Sequence, residues 1–304
     1  MSETTGSEIL DQYRNISIKL KKRFLRKPNV TEACESFVSL AKQCETLELP
    51  AYAGLCWIAA ARCEGSLSNN TGETSCLVQS GRQFLKAEEN DFNLGCSSVS
   101  GENLQAGLSC YTHASSRFPD NCSIPIGLNL ELTEFLKKID RTEYIQSYLE
   151  NAIELSEGRS DTNIYCLELM ASHFVDRGDY LAALETYLEM FRLLKQLPIN
   201  GSRCETLLKC EIYCVFLLLI LRPSPQKLSA NLAKILEKYT WGDKNDTSLK
   251  ACKMTDNMFL LLQSLVTICQ SLDTTGLIDL ESEFWPLLSK QQKELLRILV
   301  RSYC

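Results

Sequence analysis

Histidine is nearly absent from this chain of 304 residues, which contains only His113 and His173. The sequence has 15 cysteines, yet no two of them form a Cys-x-x-Cys pair. Structural zinc sites are built from such paired cysteines and from histidines. The sequence therefore predicts no metal site, and no other motif in it indicates a cofactor.

Glycine-rich loops that hold phosphate groups are also missing, as is the Gly-x-Ser-x-Gly turn that presents a nucleophilic serine. Neither histidine lies at a recognisable spacing from a candidate nucleophile. We expect His173 to be exposed or to line a groove, because it precedes Phe174 in a helix whose packed face lies elsewhere. The sequence predicts a protein that is not an enzyme.

Positive charge is in the minority, with 32 lysines and arginines against 38 aspartates and glutamates and a net charge of −6. Phosphate binding needs a basic surface, so we expect no nucleic-acid partner. The first eight residues resemble no secretory signal, and the longest apolar run, residues 212–221, is shorter than the roughly 20 residues that span a bilayer. We expect a cytoplasmic protein without a transmembrane segment, whose cysteines are small buried apolar side chains.

What is abundant is helical periodicity, which predicts an all-α protein. The first predicted helix, over residues 7–25, carries an apolar stripe that includes Ile9 and Tyr13. Asn29 is a predicted helix N-cap with Glu32 as its capping-box partner. Pro50 suits the first turn of a third helix.

Residues 164–197 show the tetratricopeptide pattern of two antiparallel helices with small residues where they cross. Gly178 permits the tight connection between the two helices. A weaker match lies 36 residues earlier, where Tyr144 and Ser147 correspond to Tyr180 and Ala183. Because isolated repeats cannot bury their faces, we predict a tetratricopeptide-like solenoid of about a dozen helices. It forms a single superhelix over residues 1–304, with a basic N-terminal segment in residues 1–28 and a C-terminal helical part in residues 203–304.

A cluster of positive charges lies in residues 19–27. Four of its side chains share one face of a helix and are candidates for binding a partner: Lys19, Lys22, Arg23 and Arg26. The alternatives are a solvated face, an acidic protein partner, an anionic membrane surface or a nuclear import signal.

Two apolar segments are candidates for the core or for a partner interface. A helix over residues 212–221 is apolar on every side, so either its own chain or a partner must cover it. Residues 284–288 raise the same question, because tryptophan is enriched at the centres of interfaces. The candidate partner-binding residues of the two segments are Phe216, Leu217, Leu218, Leu219, Trp285, Leu287 and Leu288.

Several strings resemble one family, that of the forty-kilodalton huntingtin-associated protein, also called the factor VIII intron 22 protein. The most specific is KLKKRFLRKPNV at residues 19–30, and four others follow in the same order at residues 222–228, 236–241, 259–266 and 284–288. Together they span most of the chain. The sequence departs from the family where vertebrate members carry a long proline-rich insert, since this chain has only residues 197–202 there.

The resemblance implies a non-catalytic scaffold that binds huntingtin, a giant HEAT-repeat protein, one to one in the cleft between its large helical domains. It also implies a link through huntingtin to early endosomes and to the small GTPase Rab5, with the nucleus as a further possible location. The alternative is a free-standing tetratricopeptide adaptor of the SNAP vesicle-fusion type, which has a similar size, acidity and helical stacking.

Overall fold

The computed structural model describes residues 2–20, 29–96, 100–119, 121–198, 200–224, 230–242 and 252–303. Within these residues it contains 14 α-helices, two short 3₁₀ turns and no strand. The all-α helical-repeat fold class is confirmed. In the same ranges, none of the helices combines the length and the apolar character that crossing a bilayer requires.

The chain divides into two compact units, Met1–Leu155 and Ser156–Cys304. Each unit is all-helical over its described residues. The single superhelix over residues 1–304 stays a prediction.

The first unit is a succession of helices in which each packs against the next along the chain. A 3₁₀ turn, Thr142–Tyr144, precedes the last of them. The helices are α1 (Ser2–Leu20), α2 (Val30–Thr46), α3 (Pro50–Ser66), α4 (Asn70–Asn93), α5 (Glu102–Arg117), α6 (Ile124–Lys138) and α7 (Ile145–Leu155).

Two predicted helix starts are confirmed. The Asn29 side chain accepts a hydrogen bond from the Glu32 backbone N–H at 3.2 Å and donates one to the Glu32 carboxylate at 3.1 Å. This is a reciprocal cap on α2. Pro50 is the first residue of α3, where its missing N–H costs nothing.

The first unit repeats one buried pattern in its second, fourth and sixth helices, α2, α4 and α6. The six buried positions of α2 recur 40 residues later in α4, and those of α4 recur 52 residues further on in α6. One of the six is always small: Ala41, Gly81 and Thr133. Side-chain hydrogen bonds from Gln83 to Glu45 and from Arg82 to Glu131 join α2 to α4 and α4 to α6 across the intervening helices.

The second unit has seven α-helices in its described residues, and α10 packs against α9, α11, α12 and α14 and also contacts α13 through Phe284. The 3₁₀ turn Trp285–Leu287 precedes the last helix. The helices are α8 (Ser160–Arg177), α9 (Tyr180–Lys195), α10 (Ser202–Leu221), α11 (Ala230–Thr240), α12 (Asp256–Ser271), α13 (Thr274–Phe284) and α14 (Lys290–Tyr303).

The helix pair α8–α9 occupies the stretch with the tetratricopeptide pattern. Gly178 ends α8 with a φ of 77°, in the left-handed region that glycine adopts without strain. Three of the five buried positions of α9, among them Ala183, recur 38 residues earlier in α7, where Ile145 takes the place of Ala183. The predicted match between Ser147 and Ala183 is therefore wrong, because Ser147 is exposed and Ala183 is fully buried.

Candidate partner-binding surfaces

The apolar helix α10 is enclosed by its own unit. Phe216, Leu217 and Leu218 are at most 1% exposed, and Leu219 is buried as well. From the sequence, either the chain itself or a partner could cover this helix. In the structure the chain itself covers it. The assignment of these four side chains to a partner-contacting surface is corrected accordingly: they are core residues, because residues 211–219 of α10 are buried on every side of the helix.

Aromatic contacts close two sides of α10. The Tyr213 ring stacks on Tyr187 of α9 with ring centres 4.6 Å apart. On another side, Phe216 meets Phe284 of α13 edge to face at 5.8 Å. Offset-stacked and edge-to-face pairs each add about 0.5–1.5 kcal/mol beyond burial. These contacts fix the orientation of α10 as well as covering it.

Polar contacts fasten the last helix, α14, to the rest of the unit. The Tyr213 hydroxyl donates to Gln291 Oε1 at 2.8 Å. Gln291 Nε2 donates in turn to the Ser172 backbone oxygen of α8 at 2.9 Å. One glutamine thereby links α8, α10 and α14, and it helps to hold α14 over the apolar helix.

A charged pair lies inside the second unit, where the Lys238 ammonium group contacts the buried Glu211 carboxylate. The Tyr239 hydroxyl donates to the same carboxylate at 3.0 Å. Burial raises the pKa of Tyr239, and the neighbouring Glu211 charge raises it further. The Glu211 carboxylate thus accepts hydrogen bonds from two side chains of α11. A buried charge requires such partners.

Residues 284–288 divide between core and surface. Phe284 and Leu288 are buried, so Leu288 does not offer the partner contact predicted for it. Trp285 is half-buried and Leu287 is 45% exposed, and both remain candidates for a partner surface. The break at Pro286 produces this division, because the 3₁₀ turn rotates successive side chains away from the α13 packing face.

The basic segment is only partly described. Lys19 is exposed at the last turn of α1. Lys22, Arg23 and Arg26 lie outside the residues that the structure describes. Their role in binding stays a prediction.

The two histidines occupy different settings. His113 Nε2 lies 3.7 Å from Glu73 Oε1, and Arg117 contacts the same carboxylate at 3.2 Å. His173 is almost fully buried, beside Phe174, so the prediction that it is exposed or lines a groove is wrong. Its position in α8 falls between two buried positions of the packed face, which the sequence pattern did not distinguish. Within the described ranges, no three side chains of the metal-binding types are grouped as a metal site.

Fourteen of the cysteines are described, and all fourteen are free thiols. Twelve of these are buried, Cys96 is exposed and Cys122 is intermediate. Burial raises the pKa of Cys76 to about 11 and that of Cys269 to about 11. These thiols stay protonated near neutral pH, which makes them poor nucleophiles.

Several exposed apolar side chains were not singled out in the sequence. Trp241 is 86% exposed after α11, and Leu94 is 75% exposed after α4. Leu181 and Ile278 are each more than half exposed on α9 and α13. Of these residues, only Leu94 has a sequence feature that predicts exposure, because it directly follows a long polar helix and precedes Gly95.

A row of cations was also missed in the sequence. Lys290, Lys293, Arg297 and Arg301 follow one another at helical spacing along the outer face of α14. Lys293 and Arg297 lie over the Trp285 ring, at 5.1 Å and 4.5 Å from its centre. The spacing of three, four and four residues was the signal that marks this face.

Comparison with known proteins finds relatives over nearly the full chain. The mouse 40-kDa huntingtin-associated protein is 32% identical across 97% of this chain and 93% of its own length. The rat protein of the same name is 31% identical with the same coverage. The alignment extends over 357 residues, more than the 304 of this chain, so the relatives contain residues that this chain lacks. No family model matches the sequence.

Proposed function

Because this chain belongs to the family of the 40-kDa huntingtin-associated protein, we propose that it is a non-catalytic scaffold subunit that binds huntingtin. The proposal includes one-to-one binding between the HEAT-repeat domains of the partner. It also includes a cytoplasmic location and a link through huntingtin to early endosomes and Rab5.

The single observation that carries the proposal is the extent of the similarity. It covers 97% of this chain and 93% of the mouse relative, so no large part of either protein lies outside the alignment. Similarity over a fragment alone would not show whether the aligned part of the relative is the part that associates with huntingtin. Here the similarity runs over nearly the whole of both chains, which supports carrying the association of the relative over to this chain.

The surface supports burial as the means of binding. Large apolar side chains stay exposed in both units, with Leu94 and Phe92 in the first and Trp241 and Ile278 in the second. Permanent interfaces bury about 2,000 Å² or more and are richer in apolar contacts than transient ones. Exposed apolar side chains on helices, such as Phe92 and Ile278, provide such contacts at little cost in conformational entropy.

Purification of the endogenous complex tests the proposal directly. The tagged chain, isolated under mild conditions and analysed by quantitative mass spectrometry, is expected to retain huntingtin in equimolar amount. Co-expression of huntingtin is expected to raise the steady-state level of the chain, because a bound partner stabilises the folded state by mass action.

A matched pair of variants links the binding to the surface. Leu287→Asp places a charge on an exposed apolar position, and Ser282→Asp places the same charge on an exposed polar position of α13. We expect the first variant to retain less huntingtin than the second. Recovery of SNARE proteins without any giant partner would overturn the proposal in favour of a SNAP-type adaptor.

A further inference from the structure

The outer face of α14 is a row of four cations. Lys290, Lys293, Arg297 and Arg301 occupy positions 1, 4, 8 and 12 of the helix from its first residue, so they share one side. The opposite side holds apolar residues that are buried in the unit: Leu295, Leu296, Leu299 and Val300. The helix packs against its unit through the apolar face, and its basic face is directed outward.

The charge of this face is poorly balanced within the chain. Glu294 contacts Arg297 at 2.9 Å, and it is exposed as well. Among the described residues no acidic side chain pairs with Lys290, Lys293 or Arg301. The row therefore carries a net charge of about +3 in a protein whose net charge is −6. Such a local reversal of sign favours an anionic partner.

Trp285 arranges two of the cations before any partner arrives. Its ring lies beneath the Lys293 ammonium group and the Arg297 guanidinium group, both within the range of a cation–π interaction. This contact restricts two long side chains that would otherwise lose rotamer freedom on binding. The face is preorganised for a ligand that contacts the outer side of those cations.

Exposed apolar side chains lie shortly before the row in the chain. Leu287 lies three residues before Lys290 and is 45% exposed. Ile278, on α13, is 55% exposed, and it lies seven residues before Trp285 in the chain. The region thus combines a line of positive charge with exposed apolar positions, which is the complement of an acidic amphipathic segment.

We propose that this face of α14 binds an acidic amphipathic helix of a protein partner. The inference rests on the proposed function, because it specifies what kind of surface that partner offers here. The row extends over 12 residues of helix, or roughly 16 Å at 1.5 Å per residue, which three turns of a partner helix would match. A linear row fits a helix better than a planar membrane, and the Trp285 ring is covered by cations, not free to insert into lipid.

A binding measurement with the full chain tests the inference. The probe is a fluorescently labelled synthetic peptide with glutamates at every third and fourth position and leucines on the adjoining face. The matched probe has glutamine in place of each glutamate. We expect the acidic peptide to bind, the glutamine peptide to bind at least ~10-fold more weakly, and the affinity to fall steeply as the salt concentration rises.

Charge-reversal variants locate the binding on the protein. The variant Lys290→Glu, Lys293→Glu, Arg301→Glu is expected to lose affinity for the acidic peptide by ~10-fold or more. The matched control reverses three other exposed lysines, Lys42, Lys86 and Lys234, and changes the net charge equally. The control is expected to bind as the unaltered chain does. If the reversal variant does not fold, the corresponding glutamine triple variant carries the same expectation with a smaller loss.

Each outcome has a definite meaning. Equal loss in both triple variants, no binding of the acidic peptide, or binding only to phosphatidylserine vesicles overturns the inference. Huntingtin capture is scored separately on the same proteins. If the chain captures huntingtin but does not bind the peptide, the proposed function stands and this inference is overturned. If the peptide binds through α14 but huntingtin is not captured, the proposed function is overturned and this inference stands.

Discussion

The two units bury their helices in different ways. In the first, α2, α4 and α6 repeat one buried pattern with a small residue at the same position, so that neighbouring helices approach closely. In the second, residues 212–219 of α10 are apolar on every side of the helix, and the surrounding helices α9, α11, α12, α13 and α14 bury them. The first solution spreads burial evenly along the chain, and the second concentrates it in one element.

The comparison shows that apolar density does not identify a binding surface. The most apolar segment of the chain is its most enclosed helix, whereas the exposed faces are mixed in character. On α14 a row of cations lies beside Trp285, and in the last turn of α4 the exposed Phe92 lies among polar residues. A partner can contact only the exposed faces of mixed character.

The largest expected effect tests whether α10 is enclosed. Phe216→Ala removes a fully buried ring that contacts Phe284, and we expect it to lower the free energy of unfolding by about 3–5 kcal/mol. The control is Leu260→Ala on α12, where the side chain is more than half exposed and the expected loss is about 0.5 kcal/mol or less. Urea denaturation measures both. Equal losses would show that α10 has an open side.

The next effect tests the close crossing in the first unit. An alanine Cβ at Gly81 would lie 2.4 Å from the Tyr111 ring, so Gly81→Ala forces the helices apart, and we expect a loss of about 1–3 kcal/mol. At Gly127 on α6 a Cβ meets no atom within 4 Å. Gly127→Ala is therefore expected to raise stability by up to about 1 kcal/mol through helix propensity. Thermal unfolding of the two variants should move in opposite directions.

The smallest effect concerns a helix end of the repeated array. Asn29→Ala removes both hydrogen bonds of the α2 capping box, and we expect a loss of about 1 kcal/mol in the free energy of unfolding. Ser123 is the N-cap of α6 but makes no side-chain capping bond. Ser123→Ala is expected to change stability by less than half as much. A similar loss in both variants would mean that the cap at Asn29 contributes nothing specific.

Much of the fold was predictable because it depends on local sequence. The Asn29 cap, the Pro50 start and the Gly178 turn each follow from backbone geometry within a few residues. The repeat length was harder to predict: the buried positions recur at 38 residues between α7 and α9, while the residue match suggested 36. Whether a side chain is buried depends on the neighbouring helices. Chemical similarity between two residues is therefore a poor predictor that both are buried.

The candidate surfaces were less predictable. For residues 284–288 the sequence left core and partner interface open. Trp285 is half-buried and Leu287 is exposed, whereas Leu288 and the four α10 residues are buried. The cation row on α14 was visible as a spacing, yet its significance depended on Trp285 lying beneath two of the cations. Such a contact joins residues on two elements, and no single-helix pattern predicts it.

By itself the sequence determined the helical class, several helix ends and the family, since these depend on local backbone preferences and on the order of residues. The tertiary structure alone decided which apolar helix is covered and which basic helix faces solvent. The physical reason is that exposure belongs to the packed arrangement of helices and not to any one of them. A helix that is apolar on all sides can be completed by its own chain or by another, and only the positions of its neighbours determine which.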